Sequence, residues 1–276
     1  MRIDSHQHFW KYDANRDSWI DDSMKILRKD FLPSDLEPLL QENNIEACIA
    51  VQADQSEEET KYLLKLADEN DFIKGVIGWV DLKKWDLEER LTFFCKNKKF
   101  KGVRHILQDE ANDFVFNNKF QKGISILNKF NLVYEILICP AQLINIISLV
   151  NDFPNQIFVL DHMAKPNIKD QKIDTWQKDI TTLAKADNVY CKISGMVTEA
   201  HWKDWKPEDF KPYLDIIFAS FSVDRLLFGS DWPVSLLAAD YDDVLKIIKD
   251  YMNFFSDEDK NKIFFKNAVR VYQLEN

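Results

Sequence analysis

His6 and His8 stand two residues apart near the start of the chain, in the run Asp4-Ser5-His6-Gln7-His8-Phe9-Trp10. In an extended strand alternate side chains share a face, so the two imidazoles enter one space about 6.5 Å apart along the backbone. Such a pair can ligate a metal ion or hold a polar substrate. Four of the five histidines (His6, His8, His105 and His162) sit at the ends of apolar, strand-like runs, as do Arg104 and Asp231. Only His201 lies apart, in the acidic and aromatic loop from Glu199 to Trp205, and neither Glu199 nor His201 receives a role. Polar residues also follow the second and third runs, at Gln52 and Asp81, and Trp10 and Trp232 can supply aromatic walls. Blander readings exist for each. Asp231 could simply stabilise the turn Gly229-Ser230-Asp231-Trp232-Pro233, and the adjacent Arg104 and His105 point to opposite faces of a straight strand. Clustering at strand ends favours function.

The elements that must position these residues alternate. Apolar runs rich in β-branched residues cover 2–5, 47–52, 75–80, 102–106, 132–137, 157–161, 189–194 and 226–230. Helical-period segments fall between them at 34–43, 57–70, 87–98, 119–130, 141–152, 175–186, 208–220 and 241–255, with a last helix over 257–274. Helix starts carry local signals: Ser34 to Glu37 reads as a capping box, Ser56 precedes three glutamates, and Pro140 opens a helix. Continuous apolar strands are buried on both faces, as in parallel sheets. Eight such units predict an α/β fold, a (β/α)8 barrel, as one domain over 1–276. A doubly wound open sheet usually needs a Gly-rich turn after its first strand, and with six glycines none is available there. Residues 9–32 read as a long aromatic βα loop over the barrel mouth. Barrel sites lie at the C-terminal ends of the strands, where the polar residues fall, and Asp231 then faces the histidines across the barrel.

Composition narrows the partners. A net charge of −10 with no long basic stretch argues against nucleic acid and against an anionic membrane surface. No apolar run approaches the ~20 residues of a membrane span, and the N-terminus lacks the apolar core of a signal peptide. The four cysteines are far apart and three lie in strand-like runs, which suggests buried, reduced thiols. A cytoplasmic protein is the expectation. Oligomeric state has no signature in the sequence.

At these residues the chain resembles the amidohydrolase superfamily. The His-x-His after strand one, His162 after strand six and Asp231 after strand eight match its metal-site pattern. The stretch Asn267-Ala268-Val269-Arg270-Val271-Tyr272 is similar to the terminal helix of the amidohydrolase-2 branch. Further segments are Lys101-Gly102-Val103-Arg104-His105 with Gln108-Asp109-Glu110, Asp161-His162-Met163-Ala164-Lys165-Pro166, Cys191-Lys192-Ile193-Ser194-Gly195 with Thr198-Glu199-Ala200, and Phe228-Gly229-Ser230-Asp231-Trp232-Pro233. Together, in order along the whole chain, they resemble sugar-lactone hydrolases of the L-fuconolactonase and L-rhamnonolactonase type. Binuclear members of the superfamily use a carboxylated Lys after strand four and a His after strand five. Here Lys101 is at the wrong end of its strand and strand five ends in Ile138-Cys139-Pro140.

The resemblance therefore implies at most one divalent ion, Zn²⁺ or Mn²⁺, on His6, His8, His162 and Asp231. Metal-independent members of the branch leave none as the other option. It implies hydrolysis of a small aldonolactone, with water attacking the ring ester, Asp231 as general base, and His162 and Arg104 assisting. Trp10, Gln52, Asp81, Arg104, His105 and Trp232 are the expected substrate contacts. The rival chemistry on the same scaffold is metal-dependent decarboxylation of an aromatic or unsaturated acid. A non-catalytic binding protein is the remote alternative.

Overall fold

Eight strands run in chain order, each pairing in parallel with its sequence neighbours. They are β1 (Ile3–Gln7), β2 (Ala47–Val51), β3 (Ile73–Gly78), β4 (Phe100–Ile106), β5 (Val133–Leu137), β6 (Phe158–Leu160), β7 (Val189–Ile193) and β8 (Leu226–Phe228). The computed structural model describes residues 1–275, so Asn276, the last residue of the expected domain span, lies outside the described residues. The ladder between β8 and β1 closes only at its C-terminal tip. Asp231 donates its N–H to the His6 carbonyl at 2.8 Å, and His8 donates to the Trp232 carbonyl at 2.8 Å. The barrel thus zips shut through the residues that carry the polar side chains.

Helices α1 (Pro33–Glu42), α2 (Glu57–Glu69), α3 (Leu87–Phe94), α4 (Asn118–Leu127), α5 (Leu143–Asp152), α6 (Asp174–Leu183), α7 (Pro207–Phe221) and α8 (Tyr241–Tyr251) follow the strands in turn. Their buried faces and the outward faces of the strands form one large apolar layer. A second, smaller cluster fills the lower barrel: Ile3, Ile49, Ile77, Val133, Val159 and Leu227 point inward over Val271 and Tyr272 of the C-terminal segment. That segment seals the barrel bottom, opposite the strand ends.

Several boundaries differ from expectation for local reasons. The first helix starts one residue early, at Pro33. Asp35, not the expected Ser34–Glu37 pair, closes its start by accepting the Leu32 N–H at 2.8 Å. The third helix ends at Phe94 instead of continuing to 98, because the Asn97 side chain accepts the Lys99 N–H and competes with helical bonding. Pro140 opens a short 3₁₀ turn before α5. The expected helix over 257–274 is broken into α9 (Asp257–Asn261), a wide π turn (Lys262–Lys266) and α10 (Asn267–Val271). That turn lets the Asn267 side chain reach the Val223 and Leu226 carbonyls at the foot of β8. Cys48 and Cys191 are buried, whereas Cys139 lies on the surface just past β5. None of the described helices is long and apolar enough to cross a membrane.

Candidate active site

The first strand does not alternate strictly. Its register slips between Asp4 and Gln7. This bulge lets Ile3 fill the lower barrel and still turns His6 and His8 into the space above it. Asp4 points outward, taking the Tyr241 hydroxyl at 3.0 Å and the Ser230 N–H at 2.9 Å, and so ties β1 to the β8 turn. Burial pushes the Asp4 carboxyl up to about 6 despite these bonds. A methyl group on Gly229 would come within 2.6 Å of His6 Cβ, so only glycine permits this close approach. Asp231 itself has φ 60°, a left-handed conformation within the tight turn.

Three imidazole Nε2 atoms surround Asp231 Oδ1: His8 at 3.4 Å, His6 at 3.8 Å and His162 at 3.9 Å. Each ring is oriented from behind. His8 Nδ1 bonds to the Val51 carbonyl at 2.8 Å, which puts its proton on Nδ1 and its lone pair toward Asp231. His162 Nδ1 meets Ser194 Oγ at 2.9 Å. Burial holds His162 well below the usual imidazole range, even with the Asp231 charge opposing. Burial works to raise the Asp231 carboxyl, but the His162 and His8 rings around it and the Lys165 ammonium outweigh that, and Asp231 stays below its usual value.

Beneath this ring lies a fully buried ion cluster. Lys192 Nζ on β7 lies 2.6 Å from Glu135 Oε2, 3.2 Å from Asp161 Oδ1 and 3.0 Å from His6 Nδ1. Arg104 on β4 donates to Asp161 Oδ2 at 3.0 Å and to the Gln52 carbonyl, and its Nη1 lies 3.3 Å from His6 Nε2. Tyr272, from the plug below, donates to Glu135 Oε1 at 2.7 Å. His6 is therefore bracketed by two cations. Burial and the Lys192 charge hold it well below the usual imidazole range, hence neutral. A neutral ring has one lone pair, so only one of the cations can donate to it. Asp161 serves both, one oxygen to each. Burial acts to raise Asp161, yet Lys192, His6 and Arg104 together hold it well below the usual carboxylate range.

The donor set suits a divalent ion. One atom each from His6, His8 and Asp231 lie within 4.8 Å of one another, and so do atoms of His6, Asp161 and His162. A tetrahedral Zn²⁺ with arms of about 2.0–2.1 Å separates neighbouring ligands by about 3.3–3.4 Å. The His8–Asp231 gap of 3.4 Å matches that, and the His6–Asp231 gap of 3.8 Å is slightly wide. The four residues expected to form one set thus fall into two triplets that share His6, with His162 in the second.

Above lies a cavity of about 380 Å³ with His8, Arg104, His162 and Asp231 at its floor. The 9–32 loop leans on it through Trp19 and Met24. Of the six expected substrate contacts, Arg104 lines this cavity. Trp10 and Trp232 are buried behind it, both edge-on to Phe31 at 5.3 Å. Gln52 is buried and donates to the Arg104 carbonyl at 3.1 Å. Asp81 lies off the cavity and caps the Lys83 N–H at 3.0 Å. His105 faces outward, stacked on Phe114 at 5.1 Å, with Trp79 Nε1 donating to its Nδ1 at 3.3 Å and Glu110 accepting from its Nε2 at 2.9 Å. His201 is exposed on a loop beside the mouth. Sequence pattern assigns no task to Lys192, Asp161 or Glu135, the three residues at the heart of this buried cluster. A lysine inside the apolar strand Val-Tyr-Cys-Lys-Ile was the available signal, since a buried ammonium demands carboxylate partners.

Imidazoles, a guanidinium and a carboxylate converging at the C-terminal ends of eight parallel strands give this molecule the layout of a barrel enzyme. The amidohydrolase family model matches residues 3–274, and the chain belongs to that family. An L-fucono-1,5-lactonase of Burkholderia multivorans is 37% identical over 99% of this chain and 96% of its own length. One from Burkholderia ambifaria is 34% identical over 100% of this chain and 96% of its own. A crystal structure of a Burkholderia multivorans amidohydrolase with bound zinc has a TM-score of 0.96 to this fold at 37% identity, covering 100% of both chains.

Proposed function

We propose that this enzyme hydrolyses a small sugar-derived lactone, an aldonolactone of the L-fuconolactone class. The observation that carries the reading is full-length identity of 37% to an L-fucono-1,5-lactonase, on a fold that keeps Asp231 at the cavity floor. The site's own chemistry agrees. Asp231 is an ionised carboxylate in a ring of imidazoles, so it can take a proton from water as the water oxygen bonds to the ring carbonyl carbon. Arg104 lines the same floor and can turn an N–H toward the carbonyl oxygen as negative charge builds there. The carbon–oxygen ring bond then breaks, and Asp231 returns its proton to the departing ring oxygen. His162, neutral and held by Ser194, orients Asp231 and can assist that transfer. The products are a hydroxyl and a carboxylic acid, which ionises and releases a proton.

In this reading one divalent ion, Zn²⁺ or Mn²⁺, is held by His6, His8 and Asp231, with His162 alongside. When bound, it supplies Lewis-acid polarisation of the ester carbonyl. Acid release from a panel of aldonolactones, followed with a pH indicator before and after chelation, tests the function. Acid from at least one sugar lactone is expected. Asp231→Asn is expected to lower kcat by about 10²–10⁴-fold with a much smaller change in KM. Silence across the whole panel would overturn the reading. An unchanged kcat in the variant would remove Asp231 as base.

A further inference from the structure

The cavity above Asp231 is lined by apolar and charged side chains together. Its lining includes the apolar Met24, Leu137 and Leu237, and, on the loops after the sixth and seventh strands, Lys165 and Glu199 with Trp202. Lys165 Nζ and Glu199 Oε1 are 3.9 Å apart, and the two side chains are 25% and 26% exposed. They are too far apart to bond directly. The gap suits an inserted hydroxyl, which can accept from the ammonium and donate to the carboxylate at about 2.8 Å each.

Both residues sit on braced loops. His162, Met163, Ala164 and Lys165 follow β6 with φ of 52°, 54°, 59° and 50°, a left-handed turn made without glycine. Such a turn costs roughly 1–2 kcal/mol per residue and persists only where its surroundings enforce it. Here Lys165 donates its N–H to the His162 carbonyl at 2.8 Å, and Trp176 Nε1 holds the Met163 carbonyl at 2.8 Å. At Gly195, whose φ is +63°, an added Cβ would strike His162 Nδ1 at 2.5 Å, so the β7 loop packs directly on this turn. Farther along that loop, the Glu199 backbone carbonyl accepts the Lys169 N–H at 2.9 Å and Trp202 Nε1 donates to the Thr198 carbonyl at 2.9 Å. One strained turn therefore carries both His162, at the reacting centre, and Lys165, at the wall. Their separation is held rigidly.

We infer that Lys165 and Glu199 form a clamp for one substrate hydroxyl, and that this clamp selects polyhydroxylated lactones over plain ones. The clamp rests on the lactonase reading and narrows it. Burial keeps the Glu199 carboxyl above its usual value even with Lys165 beside it, and the Asp231 charge adds to this. A substrate carboxylate placed at this wall would meet Glu199, whereas a neutral polyol meets a donor and an acceptor together. The substrate class is thus a neutral polyhydroxy lactone, oriented by a hydroxyl remote from the ester.

The test compares kcat/KM for an aldono-1,5-lactone and for δ-valerolactone, which has the same ring ester and no hydroxyls, in wild type, Lys165→Met, Glu199→Gln and the double variant. The ratio of sugar lactone to plain lactone is expected to fall by about 10–100-fold in each single variant, mostly through KM. The double variant is expected to fall little further, since either half of a bridge is of little use alone. The matching reducing sugar keeps the hydroxyls and lacks the ester, so its inhibition constant should rise about tenfold or more in each variant. An equal fall on both lactones would assign the pair to chemistry or loop integrity and overturn the clamp. An unchanged ratio with an unchanged inhibition constant would overturn it too. Wild type that hydrolyses neither lactone would defeat the lactonase reading itself, and the clamp with it.

Discussion

The molecule uses a lysine–glutamate pair twice along one axis, for opposite purposes. Lys192 on β7 and Glu135 on β5 lie 2.6 Å apart, fully buried in the barrel interior. Lys165 and Glu199 lie 3.9 Å apart on loops at the rim, each about a quarter exposed. The lower pair is closed: its charges are taken up by one another, by Asp161 and by the Tyr272 hydroxyl. The upper pair is open and leaves donor and acceptor capacity for a ligand. Identical side-chain chemistry becomes architecture where water is excluded and recognition where it is admitted. The same substitution should therefore have very different consequences at the two levels.

The largest effect is expected at the bottom. Lys192→Met removes the one ammonium that faces Glu135, Asp161 and His6 together, and leaves Glu135 without its cation in a dry core. Breaking a buried pair from one side costs about 3–5 kcal/mol. Urea unfolding at neutral pH should show that loss as a lower midpoint. A stability within about 1 kcal/mol of wild type would mean the cluster tolerates an unpaired charge, and the contrast between the two levels would collapse.

A smaller effect comes from the plug beneath. Tyr272→Phe keeps the ring that packs among Ile3, Val133 and Leu227 and deletes only the hydroxyl bonded to Glu135. Losing a hydrogen bond to a charged group costs about 1.5–3 kcal/mol. Because the site lies at the opposite end of the strands, turnover per folded molecule should hold. Loss of turnover without loss of stability would show that the cluster transmits a constraint to His6 that its ion pairs alone do not supply.

Much of the upper level could be read before the fold was known, and little of the lower. The order of strands and helices is legible because parallel strands buried on both faces are continuous apolar runs. His6, His8, His162 and Asp231 stand out because polar residues at the ends of such runs have few structural uses. Alternation separates Arg104, which turns inward, from His105, which packs outward on Phe114. The bulge between Asp4 and Gln7 left no mark, since a register slip depends on the partner strand. Nor did the pairing of Lys192, whose contact with His6 spans 186 positions. Trp10 and Trp232 read as pocket walls, yet their shared partner Phe31 closes the far end of the 9–32 loop and draws both rings beneath it. Sequence pattern records which face a residue takes, and long-range packing decides what it meets there.

The smallest effect is expected at the rim, and it separates the side chain of Lys165 from its backbone. Lys165→Met removes the same ammonium as Lys192→Met, but from a partly exposed pair that solvent already screens. Such pairs contribute about 0–1 kcal/mol, so unfolding should hardly change even as recognition of a sugar lactone suffers. Lys165→Gly removes the ammonium as well and also relieves the left-handed φ of 50°. Glycine adopts that region without the clash that costs other residues roughly 1–2 kcal/mol, though it loses up to about 1 kcal/mol more chain entropy on folding. The glycine variant should therefore unfold at the same urea concentration as the methionine variant or a higher one, by up to about 1 kcal/mol. Paired unfolding curves decide it. A glycine variant clearly less stable than the methionine variant would mean that the turn holds no strain at Lys165, and that its rigidity comes from the side chain after all.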